Sequence, residues 1–373
     1  MRILLFILIL VHGLIHLMGF TKAFQLARLD QLSMPVSRFS GLIWGLSAFL
    51  LVAAAVLYLF WLNAWWIPGT VGVLLSTGLI LNYWKDSKWG MIPNLVLMTV
   101  LFVAVAGYFF RHRFVKDARH VLSTLDSRPG NPLTLEDLAG LPDAVKNYIV
   151  YSGTVGKPRI QSFRAVLDAQ IRADRNAAWI PLEVEQYNRI GPLSRLFFMN
   201  GKMKGLPVSG YHRFKDGHAT MDIRLFSLLK VQRQEGKEMD IAETVTFFND
   251  LCILAPGALI SKKIEWEEIA PLQVKAKFTE GGTRIEALLF FNEQNQLISF
   301  ESEDRYYISK ETGPGKVRWV TPVSDYKDYH GYRLASRGEA IWYLPDGPLA
   351  YLRVELRDLR YNSPYHPVSR EDL

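Results

Sequence analysis

The chain has 373 residues, 49% of them hydrophobic, and a formal charge of +7. Ten Lys and Arg against three acids in residues 1–119 account for all of that charge, while the remaining 254 residues balance 33 bases with 33 acids. This excludes nucleic acid as the expected partner, because the excess charge flanks apolar segments, where anionic lipid headgroups attract it.

Four hydrophobic spans come first: Ile3–Phe20, Gly41–Leu62, Trp66–Trp84 and Met91–Phe110. Each is near the ~20 apolar residues that carry a helix across a bilayer. Residues 1–112 are therefore expected to form a four-helix transmembrane domain, as in a multi-pass protein of the bacterial inner membrane. Gly19-Phe20-Thr21-Lys22 makes a poor cleavage site, so a removed signal peptide is not expected. Four spans put both termini on one side, and the flanking bases tie at five against five. Lys22, Arg28 and Arg38 after the first span, against Arg2 before it, favour an outer N-terminus and an extracytoplasmic soluble domain.

The first span holds His12 and His16, four apart and on one helical face. Ionisable groups at membrane depth are costly, which makes the pair a candidate for a haem, metal, quinone or proton site. The plainer reading is two neutral imidazoles bonded to neighbouring helices, with Gly13 and Gly19 allowing close packing. No other span supplies His, Cys, Asp or Glu to complete a metal shell, so no metal or cofactor is expected. Asn94, near the start of the fourth span, is expected to contact backbone or a neighbouring helix.

Residues 113–132, basic at first and then rich in turn formers, read as a linker. Residues 133–373 read as a soluble β-rich domain. A helix follows Thr134, a plausible cap, with Leu138, Leu141, Val145, Tyr148 and Ile149 facing the core and Gly153 as its stop. About ten strands run from 159 to 362, mostly antiparallel because their links are short. One helix interrupts them. Its Asp240 and Glu243 match a capping box, Ile241, Val245, Phe248 and Cys252 share one stripe, and Asn249 and Asp250 point elsewhere. Cys252, alone in the chain, reads as a small core residue.

The expected fold class is α+β, with a large curled antiparallel sheet, or half-barrel, behind the membrane helices. Two helices cannot cover ten strands, so the sheet must curl or leave an apolar concave face. Such a face, rich in aromatics, is what a lipid- or acyl-binding cavity requires. Catalytic signatures are absent: no GxSxG, Walker loop, HExxH or CxxC occurs. In "FESEDRYYI", Glu301, Glu303, Asp304 and Arg305 form the densest polar cluster; on a strand Glu301, Glu303 and Arg305 would share one face, which reads as a solvated edge with ion pairs or, as the alternative, as the paired carboxylates of a hydrolase. Asp325 and Tyr326 sit in a turn-rich stretch that reads either as a binding loop or as turn chemistry.

The blocks "HGLIHLMGF", "KWGMIPN", "FFNDLCILAPGAL", "IEW", "SEDRY", "WVTPVSDY" and "IWYLPDGPLAYLRVELRDLRYN" resemble an uncharacterised bacterial membrane family of unknown function. Its soluble part is similar to periplasmic lipoprotein-carrier folds. The resemblance carries no reaction. It does mark Asn249, Asp250, Trp266, Asp304, Arg305, Trp319, Trp342 and Tyr351 as candidate ligand-binding positions, together with Pro256, Pro322 and Asn362. Three functions follow as expectations: a protein that binds a lipid or other amphipathic ligand at a membrane surface, an enzyme on a membrane-derived substrate that uses Asp250, Asp304 and Arg305, or a haem- or metal-linked redox protein that uses His12 and His16.

Overall fold

The computed structural model describes residues 2–29, 31–123, 125, 130–309 and 313–366. The chain divides into two compact units, Met1–Phe109 and Phe110–Leu373. The first holds α1 (Arg2–Ile15), α2 (Leu17–Ala23), α3 (Arg38–Leu59), α4 (Trp66–Asn82), the short α5 (Trp84–Ser87), and the start of α6 (Met91–Ser123). Three helical runs, Arg2–Ala23, Arg38–Leu59 and Trp84–Ser123, are long and apolar enough to cross a membrane. The third expected span, Trp66–Trp84, is the shorter apolar helix α4. Its 17 residues rise only about 26 Å, less than the ~30 Å of a typical hydrocarbon core.

Small residues let these helices approach closely. A Cβ on Gly19 would lie 2.3 Å from the Trp44 indole, so glycine is required there. Leu51, Ala54 and Ala55 of α3 pack with Ile9, Val73, Leu97 and Leu101. Outward, Ile3, Leu4, Phe39, Phe49 and Phe102 are exposed, a larger apolar surface than water-facing helices present.

The expected linker at 113–132 is replaced at its start by helix. α6 continues to Ser123, and Phe114, Ala118, Val121 and Leu122 are buried with Tyr187, Leu196, Phe198 and Tyr211 of the β unit. Apolar residues at spacings of three and four explain this, since they give the basic segment one buried face. The turn-rich residues 126–129 lie outside the described ones. The helix expected after Thr134 is two pieces, a 3₁₀ turn at Glu136–Leu138 and α7 (Asp143–Tyr151). Pro142 separates them, and Asp137 rather than Thr134 supplies the capping carboxylate, accepting from the Thr134 amide at 2.9 Å.

Fifteen strands are described, more than the ten expected. The first six are β1 (Ser162–Ile171), β2 (Ile180–Arg189), β3 (Ser194–Met203), β4 (Leu206–Lys215), β5 (His218–Leu225) and β6 (Leu229–Glu235). Helix α8 (Lys237–Leu254) follows. Beyond it come β7 (Ile264–Ala270), β8 (Gln273–Glu280), β9 (Thr283–Phe291) and β10 (Leu297–Ser302). A small hairpin, β11 (Tyr306–Ser309) and β12 (Gly313–Lys316), precedes β13 (Trp319–Tyr329), β14 (Tyr332–Leu344) and β15 (Gly347–Tyr361). Thirteen strands form one sheet in the order β6-β5-β4-β3-β2-β1-β15-β14-β13-β10-β9-β8-β7. Every ladder in it is antiparallel, and β15 pairs with β1 to join two meanders.

The sheet is open, with β6 and β7 as its edges. α8 connects those two edges and touches β5 and β6 on one flank, β9 and β10 on the other, and β14 between them. Thirteen strands laid flat would span about 58 Å, against a helix about 10 Å wide. The strands therefore bend towards α8. Thirteen of its eighteen residues are buried, which is why its sequence shows no single apolar face.

Candidate functional site

Arg195 on β3, and Gln186 and Asn188 on β2, project from the sheet towards α8. Facing them, Met239, Ala242, Glu243, Thr246, Asn249, Asp250 and Ile253 recur along α8 at spacings of three and four. These residues share one helical stripe. The opposite stripe, Val245, Phe248 and Cys252, is fully buried; Phe248 stacks on Phe278 at 5.0 Å with the rings 7° apart. Burial pushes the Cys252 thiol well above its usual range, so it stays protonated and inert.

Between the polar stripe and the sheet lies a cavity of about 370 Å³, within the ~300–1,000 Å³ of small-molecule sites. Leu167, Leu182, Phe197, Met199, Met221 and Ile223 form much of its wall. Its polar end is an ion cluster. Arg195 Nε donates to Asp250 Oδ2 at 2.6 Å and Nη1 to Glu243 Oε2 at 3.1 Å. Gln186 Nε2 and Asn188 Nδ2 also donate to Asp250, at 2.6 and 3.2 Å. His212 Nδ1 stands 3.8 Å from the second Glu243 oxygen. Burial pushes the Glu243 carboxyl up most strongly, yet Arg195, His212 and Arg305 together outweigh it and hold the group at about 2.

Arg305 enters from the other side. Its guanidinium lies 4.4 Å from the Trp319 ring centroid and 5.0 Å from that of Trp342, and its Nη1 donates to the Tyr351 hydroxyl at 2.8 Å. Trp342 and Tyr351 stack on one another. Of the candidate positions, Asn249, Asp250, Arg305, Trp319, Trp342 and Tyr351 thus line one cavity.

The others do not. Trp266 on β7 packs against the core outside it. Asp304 accepts from the Glu286 amide at 2.7 Å and from Lys316 Nζ at 2.7 Å, in a separate depression lined by Glu286, Leu288 and Glu301. Asp250, Asp304 and Arg305 therefore do not assemble into one catalytic group. The chain leaves strand geometry after Ser302, so Glu301 pairs outward with Arg318 while Arg305 turns inward. Asp325 and Tyr326 lie within β13 rather than in a loop. Tyr326 donates to the Leu297 carbonyl, and Asp325, at φ 59°, accepts from Ser336. Pro256 opens a 3₁₀ turn, Pro322 sits opposite Ser299, and Asn362 ties down the Gln161 and Ser162 amides.

The capping-box reading of Asp240 and Glu243 fails because α8 begins at Lys237. Asp240 instead accepts from the Ala219 amide at 2.6 Å. Glu243, Arg195, Gln186 and His212 are the site residues that the sequence did not mark. The repeated polar positions on α8 were the available signal for Glu243, whereas its partner Arg195 lies 48 residues away with no local trace.

In the first unit, the His12 Nε2–H donates to Asn94 Oδ1 at 2.6 Å, with Ser76 Oγ at 3.3 Å; Asn94 Nδ2 donates to Thr77 Oγ1 at 3.0 Å. His16 Nδ1 donates to the His12 carbonyl at 2.8 Å. Among the described residues no three His, Cys, Asp or Glu side chains gather to hold a metal. The arrangement is polar cross-linking of helices, worth about 0.6–2 kcal/mol per bond. Replacing Asn94 with Leu should lower the stability of the purified protein in detergent by about 1 kcal/mol. An unchanged melting curve would contradict this.

Solved structures similar to this chain include the following three. One is a putative outer membrane lipoprotein-sorting protein domain from Vibrio parahaemolyticus, with 9% identity and a TM-score of 0.33, covering 57% of this chain and 88% of that one. A DUF1329 family protein from Desulfovibrio piger has 10% identity and a TM-score of 0.35, covering 60% and 93%. A LolA superfamily protein from Nitrosomonas europaea has 10% identity and a TM-score of 0.30, covering 61% and 96%. No curated protein matches the sequence. Residues 131–354, more than half of the chain and all of the cavity's sheet except its last strand residues, match a family of unknown function, DUF6544, and the chain belongs to that family.

Proposed function

We propose that this protein binds an amphipathic, lipid-like ligand in the cavity between α8 and a half-barrel sheet, while the apolar helices anchor it in a membrane. The observation that carries the reading is the cavity itself. An aliphatic and aromatic wall ends in a fixed set of charged and hydrogen-bonding groups, which is the division of surface that an amphiphile needs. The exposed apolar residues of the first unit support the anchor. In this reading α4 is a fourth crossing, its shortness met by local thinning of the bilayer. The bases that follow the first helix favour a β unit outside the cytoplasm of a bacterial inner membrane, which a reporter fused to the C-terminus tests directly.

The ligand reading is tested by photocrosslinking in membranes that contain the full chain. A fatty acid carrying a diazirine on its tail should label peptides from Met239–Leu254 and from the facing strands. Ala242, buried on the cavity stripe, is the position at which to block it. Ala242→Trp fills the space with an indole, at an overpacking cost of about 1–3 kcal/mol, and should abolish that labelling. Labelling confined to peptides before Phe110 sinks the reading.

A further inference from the structure

The two arginines of the cavity are not equivalent. Arg195 is fully committed, bonded to Asp250 and Glu243. Arg305 makes no ion pair with any described carboxylate, and its only described side-chain hydrogen bond goes to the neutral Tyr351 hydroxyl. Its sequence neighbour Asp304 is turned away to Lys316. Glu243, the acid whose charge it feels, already belongs to Arg195.

Arg305 is nevertheless held still. Two tryptophan faces and one hydroxyl fix the plane of its guanidinium. Its Nε is buried and has no hydrogen-bond partner among the described residues, and neither have two neighbours that line the same cavity, Trp319 Nε1 and Thr321 Oγ1. Buried polar groups are nearly always satisfied, so three unsatisfied donors in one cavity, beside the acceptors Asn249 Oδ1 and Glu243 Oε1 that also have no hydrogen-bond partner among the described residues, are the exception that asks for an explanation. Each of the three can donate to oxygen, and the cation favours oxygen that carries charge.

We infer that the ligand bears an anionic oxygen headgroup, a carboxylate or a phosphate, and that Arg305 is the residue that holds it. This rests on the amphiphile reading above and adds the head to the tail. Arg305 then decides which amphiphiles the cavity accepts, discriminating by charge where the apolar wall discriminates only by length and bulk.

The test compares three diazirine probes at pH 8, in membranes that contain the full chain: a fatty acid, the fatty alcohol of the same length, and a phosphatidic acid. At least one of the anionic probes should label α8 about tenfold more than the alcohol, and the stronger of the two identifies the source of the anion. Arg305→Met should erase that preference by lowering anionic labelling about tenfold while lowering alcohol labelling much less. Arg305→Lys should retain part of it, and Tyr351→Phe, which removes only the orienting hydroxyl, should lose a smaller part. Equal labelling by acid and alcohol in the unaltered protein overturns the headgroup assignment and leaves the cavity reading intact. A fall in both probes alike on Arg305→Met shows a structural role and also overturns it. No labelling of α8 by any probe instead rejects the amphiphile reading itself.

Discussion

Replacing Arg195 with Met should cost about 3–5 kcal/mol of stability at pH 7, because it leaves two buried carboxylates without the cation that both share. Met keeps the unbranched stem of the side chain as far as the Nε position and gives up the guanidinium that lies over Phe197, so some packing is lost along with the charge. The pH dependence separates the electrostatic cause from any other. In the unaltered protein Glu243 sits at about 2, below its ordinary 4.5. Its contribution is therefore present in full above pH 4.5 and disappears as pH falls from there towards 2. In the variant the sign reverses. Burial without Arg195 raises Glu243, so the folded state takes up a proton more readily than the unfolded chain and gains stability as pH falls from 7 towards 5. Denaturant unfolding followed by near-ultraviolet circular dichroism should show a gap between the two proteins that narrows steadily from pH 7 to pH 4.5. A gap that stays constant over that range would falsify the electrostatic account.

A buried ion cluster of this kind is weak evidence for stability, since well-packed apolar side chains of similar volume often do as well or better. Its position is more informative. Arg195, Glu243 and Asp250 lie where the cavity wall turns from apolar to polar, and their charges fix Gln186, Asn188 and His212 around it. A polar end built from mutually bonded groups holds its shape whether or not a ligand is present, which lowers the ordering cost of binding.

Much of this architecture was legible in the sequence. Alternation of apolar and polar residues in "VKAKF" and "LRVELRDL" marks strands that exist as β8 and β15, and "NEQN" marks the turn between β9 and β10. These signals are local, because a strand half-exposed to water must alternate. The central strands were harder to read. β3 is buried on both faces along Ser194–Met199, with Phe197 and Met199 towards the cavity and Leu196 and Phe198 towards α6, so its pattern is continuous rather than alternating. The same long-range covering explains the misread linker: residues 113–123 are basic enough to look solvated, yet Phe114, Ala118 and Val121 bury one face against β2–β4. Six of the eight candidate ligand positions meet in one cavity. Trp266 and Asp304 were marked by the blocks "IEW" and "SEDRY" that carry the family resemblance, and nothing local reveals that these two side chains lie outside the cavity while Arg305 enters it.

Adjacent residues on α8 should give opposite outcomes when truncated, and this tests whether the helix has the two faces described here. Phe248 is fully buried, parallel to Phe278 at 5.0 Å and edge-on to Phe300 at 5.8 Å. Phe248→Ala removes both aromatic contacts and opens a void that close-packed strands cannot collapse into. The expected cost is about 3–5 kcal/mol, read as a shift in the denaturant midpoint with an unchanged slope. Asn249 points into the cavity, and its Oδ1 has no partner among the described residues. Asn249→Ala deletes a buried acceptor that gains nothing from burial, so stability should change by less than about 1 kcal/mol, in either direction. If Asn249→Ala proves as damaging as Phe248→Ala, the stripe has been assigned to the wrong side and the cavity is not where the ligand enters. If Phe248→Ala is mild, α8 is held by its ends rather than by its aromatic face. The helix could then swing on its connections to β6 and β7, and the sheet would not need it to stay folded.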